Sequence, residues 1–389
     1  SQFIQGSSAT VLSLGATDEI DLTATALDFN GTVAISGDTT IEDGADLITA
    51  TAGTSNVRVG VNAGNSITSG GNQNVVIGDE AGTALTTGDF NVMVGYAAGD
   101  AFTTGGRNVG IGQNALSTDT LGSRSTAVGQ GALGTQNFTT STNVYNVAVG
   151  ALAGNAITTG VQNTLIGGLA GDALTTGGNN VAIGFEALST EDADGNNVAV
   201  GYQALKTLNA GGDGNNVAVG YITGQSVTTG HSNTLLGALA ADALTEGDEN
   251  VAIGKHALGG DTLGNYSVAI GSAALKTQNF TTSTNAYNVA VGRGAGEAVT
   301  TGIQNTIVGG LAGDALTDAD FNVALGTFAL TADTLGSRST ALGRSALASQ
   351  NFTTATDTYN VAVGFNAGTS VTTGIENTLI GSLAGDALT

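Results

Sequence analysis

The sequence predicts an all-β fold: an elongated parallel β-solenoid with coils of about 17 residues. Two observations predict it. First, a five-residue unit recurs nineteen times between Asn56 and Asn377: a polar residue, Val or Thr, a mostly small residue, an aliphatic residue and Gly, as in Asn146 Val147 Ala148 Val149 Gly150. Successive starts are 17 residues apart except for one 18, one 19 and three 21s. Four positions after each start a Gly stands in all nineteen copies, and seven after it an Ala in all but one, where Thr223 stands. Second, the composition suits a narrow core. With 62 Gly, 11 Phe and no Pro, Trp or Cys, the apolar content is carried by Ala, Val, Leu and Ile, which can line a thin stack of coils but not a wide globular interior.

Two regions follow. Residues 1–50 escape the 17-residue rule but alternate polar and apolar residues (Ile20, Leu22, Ala24; Leu27, Phe29; Val33, Ile35), with Asn30 Gly31 and Ser36 Gly37 as turn signals, so they read as a β-rich stem or attachment segment. Residues 51–389 form the solenoid array. In the first half of each coil, such as Asn180 Val181 Ala182 Ile183 Gly184, the second and fourth positions share one strand face, and β-branched aliphatics there are expected to point inward. The fifth-position glycines, among them Gly150, Gly184, Gly271 and Gly364, are expected to make one sharp turn in every coil, in backbone angles that a Cβ forbids.

The second half has two versions. One is Ala-Gly followed by an apolar residue and Thr-Thr-Gly, as in Ala153 Gly154 Asn155 Ala156 Ile157 Thr158 Thr159 Gly160; the other is Ala-Leu followed by a variable polar loop, as at Ala115 Leu116. Four coils make a higher repeat, since Asn108, Asn180, Asn250 and Asn322 are 72, 70 and 72 residues apart. Three copies carry the same insertion around Phe138, Phe280 and Phe352, each followed by a tyrosine (Tyr145, Tyr287, Tyr359) just before the next Asn. Insertions at one corner map to one face of a solenoid, and aromatic residues are enriched where binding occurs, so these six are the candidate ligand-contact residues. The opposing expectation is that each Phe tucks against its own coil or seals a seam between chains. A single chain would bury little apolar surface per ordered residue, so self-association is expected to cover the remaining Ala and Leu positions.

The units Ser267 Val268 Ala269 Ile270 Gly271 Ser272 Ala273 Ala274 Leu275 and Asn197 Val198 Ala199 Val200 Gly201 Tyr202 Gln203 Ala204 Leu205 resemble the head repeats of trimeric autotransporter adhesins, and resemble still more the related arrays of phage tail fibres and fibre-like virion proteins. Asp21 Leu22 Thr23 Ala24 and Gly31 Thr32 Val33 Ala34 Ile35 Ser36 Gly37 resemble the β-rich stem segments of such fibres. The resemblance implies a homotrimeric parallel β-roll or β-helix packed about a fibre axis. It further implies a place on the virion, contact with a host-surface glycan or protein, and attachment to other virion proteins at the N-terminus. Thr389 falls inside a coil, which points to a processing or sequence boundary.

Chemistry is sparse. A net charge of −23 opposes binding to nucleic acid or to anionic lipid. No apolar run approaches the length of a membrane span. His231 and His256 keep no repeating company with a nucleophile or carboxylate, and the glycine spacings lack the lysine of a phosphate loop, so neither a catalytic centre nor a cofactor is expected. The acid pairs Asp18 Glu19, Asp79 Glu80, Glu191 Asp192 and Asp248 Glu249 match no calcium loop and read as solvated charge. Three functions fit: a structural fibre of a virion acting as spacer and host contact; a bacterial adhesin or extracellular filament; and an ice-binding array built on Thr68, Thr86, Thr103, Thr158, Thr175, Thr228 and Thr245, a column interrupted by Asn137, Asp192, Asn209 and Asn279.

Overall fold

The structure, a computed structural model, describes residues 52–190 and 192–389. The β-rich segment expected over residues 1–50 lies outside the described residues. The chain divides into two compact units, Ser1–Leu47 and Ile48–Thr389, and the described residues all fall in the second. Over the described residues that unit is a parallel β-solenoid, with no helix among them. Nineteen three-residue strands, from Val57–Val59 to Thr378–Ile380, stack into one sheet, one strand per coil. Each strand pairs in parallel and in register with its neighbour, so Val147, Ala148 and Val149 stand opposite Thr164, Leu165 and Ile166.

A column of side chains explains why nearly every coil begins with Asn. The amide of Asn163 is buried and donates to the carbonyl of Gly177, fourteen residues on, at 2.9 Å, which closes the coil. Its Oδ1 accepts the backbone N–H of Asn180 at 3.0 Å, which joins the coil to the next. The same two bonds recur at Asn74, Asn91, Asn108, Asn216, Asn233 and Asn250. An inward-facing amide can satisfy both a donor and an acceptor of a buried backbone, which no apolar residue can do.

The turn glycines lie in left-handed backbone, with φ of +143° at Gly150. A Cβ there would come 2.3 Å from the carbonyl oxygen of Gly167, because successive glycines stack backbone on backbone. Both the angle and the contact exclude any other residue.

The strand faces run opposite to the sequence expectation. It is the third position, Ala182 or Leu165, that is fully buried, while the second and fourth are half-buried or exposed, as at Val147, Val149, Thr164 and Ile166. The physical reason is the bore of the coil. Asn at the first position and Ala at the eighth already face inward, leaving room at the third for little more than a methyl group. Where a larger residue enters there, the ninth position shrinks: Val76 accompanies Gly82, Met93 Gly99, Leu165 Gly171, Leu235 Ala241 and Ile307 Gly313. Where the ninth is Leu, the third is Ala or Gly, as with Gly110 and Leu116 or Ala182 and Leu188. A Cβ on Gly171 would stand 2.9 Å from Leu165 and 2.8 Å from Leu174, so a bulky third and a bulky ninth residue exclude each other, and in the coils that begin at Asn146, Asn216, Asn288 and Asn360 both are small. The Ala and Leu positions thought to await a partner chain are thus already buried within one chain.

Candidate functional site

With the third position turned inward, the outer face of the sheet carries the second and fourth positions. All nineteen fourth positions are Val, Ile or Leu, the second positions are Val or Thr, and none of these residues is charged. Val149, Ile166, Val219, Leu236 and Leu342 are each exposed by more than a third. The face is therefore a continuous aliphatic strip on an otherwise acidic chain.

Columns of rings and guanidinium groups border the strip. On the edge before the Asn, in left-handed backbone, stand Phe90, Arg107, Arg124 and Tyr145, and further along Tyr266, Tyr287, Phe321, Arg338 and Tyr359. Parallel register brings each within reach of the next. Arg107 lies 5.2 Å from the Phe90 ring centre, Arg124 5.7 Å from Tyr145, and Arg338 4.6 Å from Phe321, while Tyr266 and Tyr287 stack at 5.2 Å. Exposed cation–π contacts contribute about 0.5–1 kcal/mol each. On the other edge, just after the turn glycine, Phe185, Tyr202 and Tyr221 stack at 5.9 and 5.4 Å. Tyr145, Tyr287 and Tyr359 thus belong to a column that also holds the exposed Phe90 and Phe321 and the half-buried Tyr266, which were not singled out in the sequence. An aromatic or Arg one residue before the repeat Asn was the available signal.

Phe138, Phe280 and Phe352 have a different fate. All three are buried, at 6%, 5% and 7% exposure, and present no free ring to a ligand. They close a corner where the Asn column is replaced. At Ser125, Ser267 and Ser339 the short side chain makes room for a glutamine from the insertion. Gln136 donates to Asp119 Oδ2 at 2.5 Å and to Ser125 Oγ at 3.2 Å, and accepts from Asn146 at 2.9 Å. Asp119 in turn accepts the N–H groups of Gly122 and Phe138 at 2.9 and 3.2 Å. The set is copied as Asp261, Ser267 and Gln278, and as Asp333, Ser339 and Gln350. Burial pushes the carboxyls of Asp119 and Asp261 above the usual carboxylate range, although the Gln amide and the backbone N–H groups pull the other way. The signal was an Asp, a Ser six residues on and a Gln eleven beyond that, three times over.

The threonine column has an internal use. The hydroxyls of Thr68, Thr86, Thr103, Thr158, Thr228 and Thr245 each donate to the carbonyl of the next coil, at 2.9–3.2 Å. His231 pairs with Asp248 at 2.7 Å on the surface. His256 lines a groove with Asp242, Gly259, Gly260, Lys276, Thr277 and Asn279. Asp79 Oδ1 accepts the N–H of Val61, and Glu80 an amide N–H of Asn62. Among the described residues no three His, Cys, Asp or Glu side chains gather as a metal site, and no helix is long and apolar enough to cross a membrane. Compared with protein-family models, curated proteins and solved structures, the chain matches none.

Proposed function

We propose that the chain is the shaft of a structural fibre, a homotrimer joined along the aliphatic outer face of its sheet, which projects from a virion and carries host-contacting side chains on its exposed columns. The carrying observation is that uncharged strip of second and fourth positions, running without interruption through nineteen coils. Chains of net charge −23 repel one another everywhere else, so copies of this chain meet most favourably where charge is absent. Apolar burial there contributes about 25 cal/mol per Å², summed over the whole array. A strip repeated in identical register offers the same face at every level to chains packed around one axis. The resemblance of the repeats to tail-fibre arrays supports the virion and the host surface as the setting.

Sedimentation equilibrium tests the assembly. We expect three times the 37.9 kDa of the chain. The double variant Ile166→Asp, Ile183→Asp places charge on the strip without entering the bore, and is expected to sediment as a folded monomer. A wild-type monomer at about 50 µM, well above the range of stable assemblies, would sink the proposal.

A further inference from the structure

The groove beside His256 lies in one of four equivalent coils, whose tenth position is Ser117, Ser189 and Thr331 in the other three and Gly259 here, and their comparison shows what it lacks. In the coil that begins at Asn322, Thr331 holds the tenth position and donates its hydroxyl to Asp314 of the preceding coil. In the coil that begins at Asn108, Ser117 and Thr118 hold the same corner and donate to the carbonyl of Gly134 at 3.2 and 2.6 Å. In the coil that begins at Asn250 the corner is Gly259 and Gly260. Asp242 therefore faces an opening of about 390 Å³ where its counterpart Asp314 meets a threonine, while the other two counterparts, Asp100 and Asp172, each keep an Oδ1 without a hydrogen-bond partner. An atom at the Cβ position of Gly259 would lie 3.2 Å from Asp242 Oδ1, so the missing hydroxyl belonged within hydrogen-bond reach of that carboxylate.

The rest of the lining has mixed polarity. Lys276 lines the groove, its carbonyl accepting the N–H of Gly260 at 2.8 Å and its half-exposed ammonium 3.8 Å from Glu297. His256 and Asn279 complete the wall, and the Oδ1 of Asn279 is engaged by the hydroxyl of Thr262 at 2.9 Å. Burial raises the Asp242 carboxyl above its ordinary range, and nearby His256 offsets part of the rise. An anion would meet Asp242 and the field of the whole acidic chain, and a cation would meet Lys276. A hydroxyl both donates to a carboxylate and accepts from an ammonium or imidazole N–H. We infer that this groove is a binding site for a neutral saccharide, one of whose hydroxyls takes the place of the Thr331 hydroxyl and donates to Asp242 while its neighbours accept from Lys276 and His256. The groove lies in the second half of the coil, away from the sheet face, so the site stands whether or not the chains associate.

Saturation-transfer NMR on the full chain, with the methyl α-glycosides of glucose, mannose and galactose as probes and sodium acetate as the anionic control, tests the assignment. Saturable transfer to at least one glycoside is expected, with affinity at least about tenfold weaker in Gly259→Thr. That variant restores the side chain its relative already carries, so its melting temperature is expected to match wild type. Should it not fold, Lys276→Gln, on an exposed side chain, is expected to weaken transfer to the same glycoside. No transfer to any glycoside up to about 50 mM, transfer unchanged in both variants, or acetate binding with the same loss in Gly259→Thr would each overturn the saccharide assignment.

Discussion

Asn163 shows how much one side chain carries in a thin solenoid. Its amide closes one coil through Gly177 and its carbonyl receives the N–H of Asn180. Replacing it with Ala removes both partners and leaves a buried carbonyl and a buried N–H unsatisfied. The expected cost is about 1–3 kcal/mol for each stranded group. Asn163→Ala is thus expected to lower the denaturant midpoint well beyond the change caused by Asn179→Ala, whose side chain precedes the column and faces outward. Equal midpoints would show that the ladder is not what holds the coils. The pattern also explains the three Ser exceptions: Ser125 loses the amide, and Gln136 returns one from the insertion.

A coil is legible in the sequence to the extent that its rules are backbone rules. Gly150 illustrates the legible part. Its left-handed φ and its 2.3 Å approach to Gly167 leave no alternative residue, so periodicity alone located the turn. Gly150→Val forces both the angle and the contact. We expect a loss of more than about 3 kcal/mol, from strain together with overpacking, read as a fall in melting temperature by circular dichroism; an unchanged melt would contradict the stacked-glycine geometry. The orientation of the strand was not legible by the same means. Val and Ile at the second and fourth positions follow the usual rule for a buried face. That rule assumes an interior wide enough to hold them. Here the size order is inverted, because Ala182 faces Leu188 across a bore that admits only one of them as a large residue. The reciprocal exchange of bulk between third and ninth positions was present in the sequence and would have disclosed the inner face. The insertions were half legible. Their place and their tyrosines could be read, whereas the burial of Phe138, Phe280 and Phe352 depends on Asp119 and its copies, brought in from the preceding coil.

The buried carboxyls set how the molecule as a whole is expected to respond to acid. Asp100, Asp119, Asp172, Asp242, Asp261 and Asp320 all have carboxyl pKa values raised by burial. Glu186 runs the other way, held low by Lys206 and Gln203. A raised carboxyl means that the folded chain binds protons more tightly than the unfolded chain, so its contribution is fully present below the unfolded pKa of about 3.9 and is lost as pH rises through the folded value. Reduction of the −23 charge acts in the same direction. The melting temperature is therefore expected to rise as pH is lowered from 7 towards 4, and the rise to be smaller in the double variant Asp119→Asn, Asp261→Asn. A melting temperature that falls over this interval would mean that the paired surface carboxylates outweigh the buried ones.

The separation of inward and outward columns has a consequence for how such a chain can change over time. What the bore demands, the Asn, the third residue and the Ala, is confined to buried columns, and the turn Gly is fixed by its own backbone. The residues just before the Asn and just after the Gly run from Phe90 and Arg107 to Gln162 and Glu376, and from Tyr96 to Gly168 and Arg344, on a backbone that stays the same. Natural variation can rewrite those outer columns letter by letter, and acquire or discard a binding specificity, while the frame that holds the letters is copied intact.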